Sequence, residues 1–152
     1  MNWRRLVNST VSLLRVTMRE EILKQFFIGE VGPQVLAADL VDSMIAKEDI
    51  TKHPIEDMKE SFQLRPEHLI RLCDAVLNGE IKPQHLQSVG FCIVASDNFE
   101  YDTDTTEGNL VGETLLDWSA PIINYPLTKR NVERFRQRLV TGEDPFTLSD
   151  AS

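Results

Sequence analysis

Arg65-Pro66-Glu67-His68-Leu69-Ile70-Arg71-Leu72-Cys73-Asp74-Ala75-Val76-Leu77-Asn78-Gly79 is the stretch on which the fold turns. Leu69, Leu72, Cys73, Val76 and Leu77 recur at i, i+3, i+4, i+7 and i+8, one unbroken apolar stripe of a helix. Pro66 suits the first turn, where its missing N–H costs nothing. Asn78-Gly79 supplies the stop, because glycine enters the left-handed conformation without a Cβ penalty. A helix this well bounded sets the class for the rest of the chain.

The flanking segments follow the same period. Downstream, Pro83 restarts a helix lined by Leu86, Val89 and Ile93, and Gly90 within it predicts close packing against a neighbour. Upstream, Trp3, Leu6, Val7, Thr10, Leu13 and Leu14 make an N-terminal stripe. Ile22, Phe26 and Phe27 make a second stripe after Glu20-Glu21. Gly29 and Gly32 punctuate, and Pro33 opens a helix with Val35, Leu36, Leu40, Met44 and Ile45 on its apolar face. Between 47 and 65 the pattern weakens to a charged connector, with Ile55, Met58 and Phe62 marking a short helix.

After Asp97 the character changes. Phe99-Glu100-Tyr101-Asp102 alternates with a strand-like period of two. Residues 110–118 fit a strand through alternate positions, or a helix through Val111, Thr114, Leu115 and Trp118. Two glycines weaken the helix. A small β-hairpin over 99–118 therefore stays open. Prolines 121 and 126 hold 119–126 extended. Thr128 caps a last helix that buries Val132, Phe135 and Leu139 and ends at Thr141-Gly142. The expected architecture is mainly α: a single irregular domain of five to seven helices over 1–142, followed by a flexible polar tail, 143–152.

Composition narrows the function classes. The 152 residues include 16 Lys and Arg against 24 Asp and Glu, a formal charge of −8. That balance opposes nucleic-acid binding and docking on anionic membranes. No apolar run suffices for a signal peptide or a membrane span, so a cytoplasmic place is the expectation. The two cysteines, Cys73 and Cys92, sit in apolar stretches and read as reduced core thiols. His53, His68 and His85 are scattered and read as surface residues. No motif for zinc, phosphate or nucleophilic catalysis is present, and no cofactor is expected. Asp102, Asp104, Thr106 and Glu113 approach the spacing of a calcium loop, but Glu107 stands where the turn glycine belongs.

Charge segregation is the most unusual feature. Asp97, Glu100, Asp102, Asp104, Glu107, Glu113 and Asp117 fall in a stretch without Lys or Arg. Five bases follow between Lys129 and Arg138. The acids form a solvated face with no role, or the last helix neutralises them internally, or they dock a basic partner, where charge chiefly sets association rate and partner choice. Trp118 and Tyr125, beside the rigid proline segment, are either candidate interface anchors or loop residues folded back onto the core. The candidate partner-binding set is Asp97, Glu100, Asp102, Asp104, Glu107, Glu113, Trp118 and Tyr125.

Three strings carry a resemblance: Leu72-Cys73-Asp74-Ala75-Val76-Leu77, residues 90–102 from Gly90 to Asp102, and Asp117-Trp118-Ser119-Ala120-Pro121-Ile122-Ile123-Asn124-Tyr125-Pro126-Leu127-Thr128. Together they resemble small bacterial immunity proteins of contact-dependent and polymorphic toxin systems, over about residues 66–142. The resemblance implies a non-enzymatic protein binder with a cognate toxin partner, often a basic nuclease domain, in a one-to-one complex. It assigns no individual binding residues. A self-associating adaptor and a small hydrolase with an unrecognised carboxylate pair are the alternatives. Without its partner the chain is expected to be a monomer or a weak homodimer.

Overall fold

The computed structural model describes residues 18–40, 55–56 and 60–147. The first-helix stripe at 3–14, Arg4, Arg5, Arg15, His53, Met44, Ile45 and Met58 lie outside the described residues. Six helices are described: α1 Glu20–Phe27, α2 over 33–40, α3 Pro66–Leu77, α4 His85–Ala95, α5 Thr106–Ser119 and α6 Lys129–Thr141. The protein is mainly helical, as the periodicity predicts.

At the centre, α3 packs on α6 and α4 packs on α5. The α3 stripe is buried as read, with Leu69, Leu72, Cys73 and Val76 inside. Each fully buried aliphatic side chain of this kind contributes about 1.5–3 kcal/mol. From α6, Val132, Phe135 and Leu139 meet them. Arg136 of α6 donates to Asp74 of α3 at 2.6 Å and ties the pair at its half-exposed edge.

Helices α3 and α4 begin with one local device, repeated. Arg65-Pro66-Glu67-His68-Leu69 and Lys82-Pro83-Gln84-His85-Leu86 match in pattern. In each, the histidine N–H donates to the carbonyl of the basic residue, at 3.0 Å both times. The basic residue's own N–H donates back to the histidine Nδ1, at 2.9 Å for Arg65 and 3.2 Å for Lys82. This is only the return half of a capping box, with histidine in the usual Glu or Gln position; the basic side chains carry no acceptor, and their backbone carbonyls take the histidine N–H instead. His85 is buried, and His68 is half-buried with its ring 4.9 Å from Phe62 and 5.5 Å from Phe27. Neither is the surface residue that its scattered position suggested, because acceptance of a backbone N–H holds each ring against its own helix.

Four two-residue strands complete the described fold: β1 Met18–Arg19, β2 Ile55–Glu56, β3 Phe62–Gln63 and β4 Phe99–Glu100. They pair in parallel, β1 with β2 and β3 with β4. Phe62 N–H donates to Asn98 O at 2.7 Å, and Leu64 N–H to Glu100 O at 2.8 Å. Two expectations are corrected here. Ile55 and Phe62 belong to strands and not to a short helix. The strand at Phe99 pairs with a distant segment, and 106–119 is helix, so 99–118 is no hairpin.

Helix α5 forms despite its glycines because the fold needs the missing side chains. A Cβ on Gly108 would stand 1.8 Å from the Asp102 carbonyl oxygen. A Cβ on Gly112 would stand 3.2 Å from Tyr101 and Thr103. The 101–103 segment thus lies directly on the first turns of α5. Across the helix, a Cβ on Gly90 of α4 would stand 3.0 Å from the Leu115 carbonyl oxygen and from Trp118 Cβ, so the two helices pack as closely as the glycine's position predicted. Val35, assigned above to an apolar face, is exposed; Leu36 and Leu40 hold that contact. Asp39 of α2 accepts from the Arg19 N–H at 2.9 Å and fixes α2 beside the start of α1.

Candidate functional site

The acidic stretch divides into two groups. The first occupies the connection from α4 into α5. Asp97, Glu100, Asp102, Asp104 and Glu107 are all exposed there. Asp102 organises this loop: its Oδ1 accepts from the Asp104 N–H at 2.9 Å, and its carbonyl accepts from the Thr105 hydroxyl at 2.8 Å. Thr105 Oγ1 in turn accepts from the Gly108 N–H at 3.0 Å and caps α5. Glu107 in the first turn is favourably placed for the helix dipole. Arg65 Nη1 approaches Glu107 at 3.9 Å, an exposed contact worth about 0–1 kcal/mol. An open groove of about 350 Å³ runs between Gln63–Arg65 and this loop.

The second group surrounds Arg138. This guanidinium is 3% exposed. Its Nη2 donates to Asp117 Oδ2 at 2.8 Å and to Thr114 Oγ1 at 3.2 Å, and its Nη1 lies 3.6 Å from Glu113. Its carbon centre stands 5.4 Å from the Phe135 ring and 5.5 Å from that of Phe146, within cation–π range. Burial raises the Asp117 carboxyl above its ordinary value; Arg138 opposes that rise, and Asp144 adds to it. Burial, then Asp144 and Asp117, raise the Tyr125 hydroxyl. The last helix does neutralise part of the acidic segment, through Arg138. Asp117's shift belongs to a structural ion pair.

A calcium loop does not form, because residues 106–113 are wound into α5 and Glu113 points to Arg138. Among the described residues, no group of His, Cys, Asp and Glu is placed to hold a metal ion, and no helix is long and apolar enough to cross a membrane. Cys73 and Cys92 are buried thiols, and burial drives the Cys73 thiol far up.

The anchors need correction. Trp118 is 0% exposed and packs edge-on against Phe135 at 6.1 Å, so it belongs to the core and cannot meet a partner from there. Tyr125 is partly buried under Phe146, ring on ring at 3.9 Å. That contact also draws the start of the polar tail onto the domain as far as Phe146. What the same segment does present is Ile122 and Ile123, at 97% and 82% exposure. Their turn is closed by the Ile123 and Asn124 N–H groups, which both donate to Ala120 O, at 3.2 and 3.1 Å. Sequence reasoning missed this pair, although two adjacent β-branched residues between prolines were visible in the quoted string. Covering such a side chain fully is worth about 1.5–3 kcal/mol, so the fold leaves an appreciable driving force in solvent.

Comparison with protein-family models, with curated proteins and with solved structures returns no match.

Proposed function

We propose that this protein is a binding protein of the immunity type, which neutralises a cognate bacterial toxin, a basic nuclease domain, by docking through its acidic face. The observation that carries the reading is the exposed run Glu100, Asp102, Asp104 and Glu107, held in place by the Asp102 turn and the Thr105 cap. A preformed array of like charges loses little ordering entropy on association and steers a basic partner toward it. The resemblance over residues 66–142 supplies the toxin class. The α3–α6 and α4–α5 pairs supply the rigid scaffold.

The test is capture by the tagged chain from its source cells, at low and at high salt, followed by a nuclease assay on what is recovered. The expected result is one basic protein at a one-to-one ratio. Its nuclease activity falls when the chain is added back, and its affinity falls about tenfold or more on Asp102→Lys with Asp104→Lys at low salt. Recovery of the chain alone, or a partner whose affinity ignores the charge reversal, refutes the reading.

A further inference from the structure

The Ile122–Ile123 turn does not stand over bare surface. It borders a cleft of about 300 Å³ lined by Glu113, Asp117, Ile123, Asn124, Tyr125, Arg138 and Asp144. Three carboxylates face one guanidinium, so the cleft keeps an excess of negative charge even with Arg138 paired to Asp117 at 2.8 Å and to the half-exposed Glu113 at 3.6 Å. Its walls are set in place: Tyr125 is stacked on Phe146, Arg138 is pinned by Asp117 and Thr114, and Asp144 Oδ1 accepts from the Phe146 N–H at 3.0 Å. Apolar surface at the lip and negative charge below it suit one kind of visitor. Lysine and arginine lay an aliphatic stem on apolar surface while the charged head seeks a carboxylate.

We propose that this cleft and its isoleucine lip form a docking point for a protein segment carrying an arginine or lysine flanked by apolar residues. The basic head enters between Glu113 and Asp144, and the flanking apolar side chains cover Ile122 and Ile123. This rests on the binding-protein reading above and adds to it a second contact, apart from the Asp102 loop, with a stated partner chemistry.

The experiment is an amide chemical-shift titration of the full chain with acetyl-Leu-Arg-Leu-amide, with acetyl-Leu-Glu-Leu-amide as control. The arginine peptide is expected to shift Glu113, Asp117, Ile122 to Tyr125 and Asp144, with a dissociation constant on the order of 1 mM. The glutamate peptide is expected to leave them unmoved. Ile122→Ser with Ile123→Ser, at exposed positions where folding is safe, weakens the arginine peptide about tenfold or more. Equal response to both peptides, no response to either, or unchanged binding by the serine variant overturns the docking point. Shifts confined to Glu100–Glu107 also overturn it while leaving the acidic-face reading intact. Shifts at the cleft that depend on protein concentration without peptide assign it to a second copy of this chain and overturn it too. Failure of the capture experiment, by contrast, strikes the toxin reading and leaves the peptide result standing.

Discussion

Replacing Arg138 by methionine tests whether the ion pair under the cleft is structural. Arg138→Met keeps the length of the stem and removes the charge, leaving Asp117 buried beside Asp144 with no cation. Hydrogen bonds to charged groups are worth about 1.5–3 kcal/mol each, and the short contact to Asp117 is of that kind. Breaking a fully buried pair costs about 3–5 kcal/mol, but Asp117 is not fully enclosed, so the lower end applies. The Glu113 arm is half exposed and adds about 0–1 kcal/mol. The expected loss is about 3 kcal/mol, or about 6–12 °C in Tm for a domain of this size. Urea unfolding followed by far-ultraviolet circular dichroism measures it. The pH dependence is the sharper readout. A carboxyl whose folded pKa is raised contributes stability at low pH, below its unfolded value of 3.8, and loses it as pH rises through the folded value. Without Arg138 that rise is larger, so the variant regains stability on acidification relative to the parent. Adding Asp117→Asn to the same chain should restore much of the loss at neutral pH. A loss under about 1 kcal/mol, or no recovery in the double variant, refutes the assignment.

Two further outcomes follow from packing and capping. Gly108→Ala raises intrinsic helix propensity by about 1 kcal/mol, yet its Cβ would collide with the Asp102 backbone, so a net destabilisation of about 1–3 kcal/mol is expected in thermal melts; a stabilised variant would mean the loop does not lie on α5. Burial lowers the pKa of both His68 and His85, so stability is complete above the unfolded value of 6.5 and declines as pH falls through the folded values. His68→Gln with His85→Gln keeps a neutral acceptor at each cap and should flatten that slope in urea titrations at a series of pH values, whereas an unchanged slope would place the titration elsewhere.

What was legible in the chain, and what was not, divides along the range of the forces involved. Helices α3 and α6 announce themselves because period, cap and stop are all local: Pro66, Gly79, Thr128 and Gly142 stand where their own backbones need them. Gly79 and Gly142 indeed adopt positive φ, 77° and 79°. The strands at Ile55 and Phe62 were hidden because a two-residue strand has no period of its own. Only the pairing of Phe62 with Phe99, far along the chain, creates it. Helix α5 was ambiguous because Gly108 and Gly112 lower local propensity for a reason that resides in the 101–103 segment. Its helical reading, through Val111, Thr114, Leu115 and Trp118, names residues that are all buried. The acids of the candidate site were visible as a run. Their division into an exposed loop and an Arg138-centred cluster was not, since it depends on how α6 lies against α5. The paired Arg-Pro-Glu-His-Leu and Lys-Pro-Gln-His-Leu starts were in plain view, but the chemistry that makes them equivalent, a histidine accepting a backbone proton, shows only in the structure.

The parallel pairing of β3 with β4 has a consequence for how the chain folds. Parallel neighbours cannot be joined by a tight turn; here the excursion between them holds α3, α4 and both twin caps. Closing that loop early would cost chain entropy with only two short strands to offset it. The Phe62 and Leu64 amide bonds are therefore expected to close late, once the two helices have shortened the path between their ends. The aromatic contacts around Phe62, with Phe27 from α1 and Phe99 from beyond α4, close with them.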